Sequence, residues 1–320
     1  MTLQAWVESP LQILNAVEYA HAQQASMVIH ARGGSESLTR AATLLEPHLP
    51  TGVTVRPDGR SAMLSPFAAA SRRIVGDAYS GQVRAVIAMA GARRSVLVDD
   101  GSIMLALGEQ LARDQALQRP GIDEGWPMRV LGRIATHRLR TGLVKGRVEV
   151  FTAYADRAPF RELAKLGGRI SRNTYDWVRG VRLDEAAALR PTVIVGAALV
   201  PDGHLLPTPY LAWLRDRAAQ GDLTYVPHRR EHGPWLDEIA AIPGVDVLDA
   251  GLPIEVLLGA ASASVGSVVT MPSSVVATLR AVLPPEVDLE VRGIPPQWWS
   301  ESASPTMKAM IEAIQEDDPS

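Results

Sequence analysis

The sequence predicts an α/β protein built from two successive series of strands and helices. Short apolar runs alternate with helical stretches from Leu3 to Phe151 and again from Thr192 to Val291, the signature of parallel sheets covered on both faces. A good helix former, Asp184 to Arg190, is broken by Pro191 between the two series, so the expected boundary lies near Leu189. The 320 residues, 47% hydrophobic and 21% charged, suffice for two medium domains with a core each.

In the first series Leu3 to Val7 reads as a strand, Glu8-Ser9-Pro10 as a turn, and Leu11 to Gln23 as a helix with apolar residues at 11, 13, 14 and 17. A strand over Ser26 to His30, a turn at Arg32-Gly33-Gly34-Ser35 and a helix over Glu36 to Glu46 follow. Val53 to Arg56 is expected as the third strand, Pro66 to Ala78 as a helix, Val83 to Met89 as the fourth strand and Ser95 to Val98 as the next. Ile103 to Gln118 and Trp126 to Val148 read as helices, Val148 to Phe151 as a strand and Pro159 to Lys165 as a short helix.

The second series is expected to place strands at Thr192 to Val195, Leu223 to Val226, Val245 to Leu248, Ala261 to Ser264 and Val287 to Val291. Helices are expected at Tyr210 to Ala219, Pro234 to Ala241, Ile254 to Leu258 and Val275 to Val282, and the acidic tail from Gln315 onward should fray.

Composition narrows the chemistry. Net charge is −3, so no global basic field supports nucleic-acid binding. The chain has no cysteine, which removes thiol nucleophiles, disulfides and thiolate metal sites. Its seven histidines show no paired spacing on a helix, so no protein-built metal site is expected. The start lacks a basic region followed by a long apolar stretch, and no window of about 18 apolar residues occurs, so a cytoplasmic protein is expected.

Three places concentrate chemistry. After the strand ending at Val226, Pro227 releases His228, Arg229, Arg230 and Glu231, a cluster suited to an anion such as phosphate. Asp99 and Asp100, before Gly101 at the end of another buried strand, suit a general base with an orienting neighbour; the plainer alternative is helix N-capping by Asp100 or Ser102. Ser273 and Ser274, at the start of a helix, suit an oxyanion or a simple N-cap. Residues 129–147 add six cations and no acid at helical spacing, which fits an anionic membrane surface or a solvated face paired with acids elsewhere.

Asp99-Asp100-Gly101, then His228, then Ser273-Ser274 resemble, in order, the motifs of the bacterial sialyltransferase and polysialyltransferase group. Glu8-Ser9-Pro10-Leu11-Gln12 is similar to the Ser/Thr-Pro-Leu-Gln start of its lipooligosaccharide sialyltransferases. The group's His-Pro order is reversed here, Pro227 preceding His228, so the assignment of His228 rests on its place after a strand. The resemblance implies a GT-B architecture, two Rossmann-like domains facing across a cleft, with residues 1–189 on the acceptor side and 190–320 binding a CMP-sugar.

It also implies inverting transfer of sialic acid or a related nonulosonic acid to a glycan, glycolipid or polymer, with no cofactor beyond the CMP-sugar donor. Asp99 or Asp100 would be the base. Protonated His228, Arg229, Arg230, Glu231, Ser273, Ser274 and Gly196 would hold the donor's nucleotide and phosphate, while Glu8, Ser9, Gln12, Gly33 and Gly34 would line the acceptor side. Residues 129–147 would bring the enzyme to the inner face of the cell membrane. A UDP- or GDP-sugar transferase, with Glu231 on the ribose, and a non-catalytic nucleotide- or glycan-binding relative remain the alternatives.

Overall fold

Trp6 and Val7 have no exposed surface in the computed structural model of the chain, which describes residues 2–91, 93–261, 264–273 and 275–316. Burying apolar side chains of this size is worth about 1.5–3 kcal/mol each, enough to place their strand, β1 (Leu3–Val7), at the centre of a sheet. Elements follow in chain order: α1 (Pro10–Ala22), β2 (Met27–Arg32), α2 (Glu36–Leu45), β3 (Val53–Asp58), α3 (Pro66–Ala69), β4 (Arg72–Val75), α4 (Gly81–Ala90) and β5 (Arg94–Val98). Then come α5 (Ile103–Ala112), α6 (Trp126–Val144), β6 (Val148–Thr152), α7 (Ala158–Lys165), β7 (Arg169–Arg172) and α8 (Asp176–Gly180). Among the described residues the seven strands form one parallel sheet, in the order β3-β2-β1-β4-β5-β6-β7.

The second sheet comprises β8 (Thr192–Val195), β9 (Leu223–Val226), β10 (Val245–Val247), β11 (Ser267–Thr270) and β12 (Asp288–Val291), ordered β10-β9-β8-β11-β12 and also parallel. Its helices are α9 (Pro207–Ala218), α10 (Pro234–Ala240), α11 (Ile254–Ala260), α12 (Val275–Val282) and α13 (Pro305–Glu316). Alternate strand residues serve opposite faces. Ile194, Tyr225 and Val269 pack with α9 residues such as Leu211 and Leu214, whereas Val193, Val195 and Val268 pack with Leu257 of α11 and Leu279 of α12.

The chain divides into units Met1–Trp177 and Val178–Ser320, earlier than the expected boundary near Leu189. Trp177 belongs to the first unit: its backbone N–H donates to Glu18 Oε2 at 3.2 Å and its indole N–H to the His48 carbonyl at 3.1 Å. Arg179, two residues on, donates to the Ala281 carbonyl at 2.8 Å in the second.

Several expected elements differ. Residues 83–89 are helical, within α4, because Val83, Val86 and Ile87 recur at helical spacing and are buried on one side. The fourth strand is Arg72–Val75, inside the stretch expected to be helix. Its two arginines conceal it. Arg73 is fully buried, stacks 5.9 Å from the Phe67 ring centroid, and donates to the Phe67 carbonyl at 3.1 Å and the Gly91 carbonyl at 2.9 Å. Burial lowers its pKa to about 10.

The strand expected at 261–264 is instead at Ser267–Thr270; Ala261 closes α11, and residues 262 and 263 lie outside the described ones. The helix from Ile103 stops at Ala112, two residues before Asp114 adopts a φ of 54°. The basic helix ends at Val144. Gln315 and Glu316 belong to α13, while the rest of the tail lies outside the described residues. No helix among the described residues is long and apolar enough to cross a membrane.

Candidate functional site

In the first sheet the strand order reverses between β1 and β4, the place where open parallel sheets hold ligands at the strands' carboxyl ends. The loop after β1 carries Glu8 and Ser9. Ser9 is extended, with φ −143° and ψ 158°, and N-caps α1: its Oγ accepts the Gln12 N–H at 3.3 Å. The same hydroxyl donates to Asp100 Oδ1 at 3.2 Å, tying the loop after β1 to the end of β5. Glu8 accepts from Arg32 Nη1 at 2.6 Å and from the Trp6 indole at 3.1 Å.

Gln12 is buried, and its Oε1 accepts the Glu8 N–H at 2.7 Å. A Cβ on Gly76, in the loop after β4, would overlap that amide oxygen, so glycine is required for the close approach. Gln12 is therefore an internal brace between the two loops. Gly33 and Gly34 stand further out, in an exposed turn after β2, where the Gly33 N–H donates to the Asp58 carbonyl at 3.1 Å and Gly34 adopts a φ of 91°.

The two acids after β5 occupy different environments. Asp99 has no exposed surface; its Oδ2 accepts the Ala153 N–H at 2.7 Å, and its backbone carbonyl accepts Asn15 Nδ2 at 3.0 Å. Its Oδ1 is buried with no hydrogen-bond partner among the described residues. Burial pushes the carboxyl up to about 7 against the Thr152 hydroxyl and the Ala153 N–H, with the nearby Asp100 adding to the rise. Asp100 is half-buried and reachable from solvent. Gly101, at φ 71°, turns the chain immediately after it.

A third acid, Asp77, was missed because its region was expected to be helix. It follows β4, is 6% exposed, accepts the Tyr79 N–H at 2.7 Å and pairs with Arg119. Burial raises its pKa to about 6; Arg119 opposes the rise, and Asp100 and Glu8 add to it. The available signal was Gly76-Asp77 after Ile74-Val75, short as that run is.

In the second sheet the order reverses between β8 and β11, and β9 lies beside β8. Pro227 to Glu231 leaves β9 as a tight loop. Glu231 is buried and accepts three hydrogen bonds: from the Tyr225 hydroxyl at 2.7 Å, the Trp235 indole at 2.9 Å and the His228 N–H at 2.7 Å. Burial still raises its pKa. Its carboxylate faces these internal donors, so Glu231 shapes the loop. A Cβ on Gly196 would overlap Glu231 Oε2 and stand 2.8 Å from the Tyr225 hydroxyl. Gly196 thus makes room for this buried carboxylate.

His228 is half-buried, and its Nδ1 accepts the Arg230 N–H at 3.2 Å, which leaves the neutral ring's proton on Nε2. Burial, then Arg229 and Arg230, lower its pKa to about 4, with Asp202 working the other way. The expected protonated imidazole is therefore neutral near pH 7 in the free protein. Arg229 and Arg230 are exposed, and Arg230 pairs with Asp202 at 2.9 Å. Ser273 is half-buried after β11, and its carbonyl accepts the Val276 N–H in the first turn of α12 at 3.2 Å; Ser274 lies outside the described residues. Among the described residues no group of three or more His, Asp or Glu side chains is placed to hold a metal ion.

No protein-family model matches the sequence, and no curated protein matches it significantly. Among solved structures, an α/β-galactoside α-2,3-sialyltransferase from the luminous marine bacterium Photobacterium phosphoreum superposes with a TM-score of 0.58 at 13% identity, over 98% of this chain and 95% of that one. The Escherichia coli heptosyltransferase WaaC with ADP-2-deoxy-2-fluoro heptose gives a TM-score of 0.49 at 13% identity, over 99% of this chain and 100% of that one. The same enzyme with ADP gives 0.47 at 14% identity, over 99% and 98%. With its two parallel sheets, the chain has the two-domain, Rossmann-like GT-B fold.

Proposed function

We propose that the protein is an inverting glycosyltransferase that moves sialic acid or a related nonulosonic acid from a CMP-sugar to a glycan or glycolipid acceptor. The observation that carries this reading is the pairing of chemistries on one fold. The first unit presents an accessible carboxylate, Asp100, at its strand ends, and the second presents His228, Arg229 and Arg230 at its own. The fold shared with an α-2,3-sialyltransferase supports a sialic acid donor.

In this proposal the first unit binds the acceptor. Asp100 takes the proton of an acceptor hydroxyl while that oxygen forms a bond to the anomeric carbon, and Ser9 orients the carboxylate. Asp99, enclosed and near neutral, positions its neighbour without touching substrate. The second unit binds the donor. As the bond from the anomeric carbon to the CMP phosphate oxygen breaks, its electron pair stays on that oxygen. His228 Nε2–H then donates a hydrogen bond to the phosphate, with Arg229 and Arg230 offsetting its charge. Ser273, ahead of α12, adds a donor. No step is routed through a metal. In this proposal the enzyme works at the cytoplasmic face of the membrane, with α6 as the region of contact. Glu231, the ribose candidate for a UDP- or GDP-sugar enzyme, is spent on internal donors, so that alternative gains no support from it.

A thermal-shift titration with CMP, CDP, UDP and GDP tests the donor class, because a ligand that binds the native state raises its melting temperature. Stabilisation by CMP and not by the diphosphates is expected, and His228→Ala should abolish turnover with CMP-sialic acid. A response confined to UDP or GDP would overturn the proposal.

A further inference from the structure

Helix α6 is apolar on two opposite sides. One side, formed by Ala135, Thr136, Leu139 and Leu143, is buried against its own unit. At 100° per residue, Trp126, Val130, Ile134 and Val144 fall on the other side, where they are 71%, 37%, 39% and 54% exposed, with His137 and Thr141 between the last two. A surface helix of a globular protein ordinarily carries polar residues there. Arg129 and Arg133 border this strip on one flank, and Arg138 and Lys145 on the other. Met89, on the adjoining helix α4, is 64% exposed.

A groove of about 690 Å³ opens beside the strip, between the end of α4 and α6, and its lining includes Arg93, Arg133, Ile134, His137, Arg138 and Arg147. Arg133 is partly engaged by Asp114, 3.6 Å away, and Arg129 reaches Asp123 at 4.0 Å. Among the described residues no carboxylate pairs with Arg93, Arg138 or Arg147, although Arg93 donates to the Ala69 carbonyl at 3.0 Å. Cations gathered around a groove whose lining holds no acid match phosphate headgroups in charge, and the apolar strip beside them matches the acyl boundary just below.

We propose that this face of the first unit docks on an anionic phospholipid bilayer. Trp126, Val130, Ile134 and Val144 enter the headgroup boundary, and Arg93, Arg138 and Arg147 bind lipid phosphates in the groove. A second copy of the chain is a poor occupant, because a two-fold contact would set the same guanidiniums against one another. A nucleic acid would engage the arginines and leave the aliphatic strip in water. The inference deepens the membrane-contact part of the proposed function and does not depend on which sugar nucleotide is the donor, so it can fail or stand separately.

Sedimentation of the full chain with vesicles tests it without any enzymatic readout. At about 0.1 M salt the protein should bind phosphatidylglycerol-containing vesicles far better than pure phosphatidylcholine, and added salt should weaken the binding. At roughly fivefold per cation near an anionic surface, Arg93→Glu, Arg138→Glu and Arg147→Glu together should lower the partition coefficient by at least about a hundredfold. Trp126→Ser with Ile134→Ser should weaken it separately. All five side chains are on the surface, so an unchanged melting temperature verifies folding. Absence of binding to the anionic vesicles would overturn the proposal, as would equal binding by the folded triple variant. A salt-sensitive dimer formed through this face without lipid would overturn it in favour of a second copy.

Discussion

The Glu231 carboxylate accepts the His228 backbone N–H at 2.7 Å, so a buried acid holds the first residue of the basic cluster in place. The same carboxylate receives the Tyr225 hydroxyl and the Trp235 indole, which fastens the loop to β9 and α10. It sits where any side chain on Gly196 would have to go.

Glu231→Gln should therefore destabilise the second unit while leaving its surface charge cluster intact. The amide keeps one carbonyl oxygen and turns an NH₂ toward groups that are themselves donors, at a cost of about 1–3 kcal/mol. Gly196→Ala should cost a similar amount, about 1–3 kcal/mol, by overpacking. Urea unfolding measures both, and either variant with wild-type stability would show that the loop is braced in another way.

Asp100 and Asp99 should separate into one variant that loses chemistry and another that changes stability. Asp100→Asn is expected to lower turnover by about 10²–10⁴-fold with little change in melting temperature, as for loss of a general base. A variant with near wild-type turnover would exclude Asp100 as the base.

For Asp99 the sign follows from its raised pKa. The folded carboxyl holds its proton up to about pH 7, compared with 3.8 in the unfolded chain, so its contribution is fully present below about pH 4 and lost as pH rises through 7. A rise of that size corresponds to about 4 kcal/mol at most. Asp99→Asn should remove this loss and be relatively more stable at pH 8 than at pH 4. Parallel stability curves for variant and wild type across that range would contradict the assignment.

His228 should titrate near pH 4 in the free protein, visible by imidazole NMR against a His228→Gln control. Its depressed pKa makes its contribution to stability present above about 6.5 and lost as pH falls through about 4. A bound phosphate should raise that pKa, so CMP binding should strengthen between pH 8 and 5 by more in wild type than in His228→Gln. Identical pH dependence in the two proteins would remove His228 from the phosphate site.

The chain's own pattern was enough to determine that this is a two-series α/β protein with an acid pair ending one strand and a basic cluster ending another. Apolar runs such as Leu3–Val7, Thr192–Val195 and Leu223–Val226 are buried parallel strands as expected, because burial of both faces demands continuous hydrophobicity, whereas the run at 83–89 is helical. Local pattern could not reveal β4, which opens with two arginines, since the partners that make Arg73 tolerable come from Phe67 and Gly91. Only the tertiary structure decided that Asp99 is enclosed and Asp100 accessible, that Glu231 points inward and that His228 is neutral. Each depends on which atoms surround a charge, and solvation is set largely by residues distant in the chain: Asn15 and Ala153 around Asp99, Gly196 around Glu231.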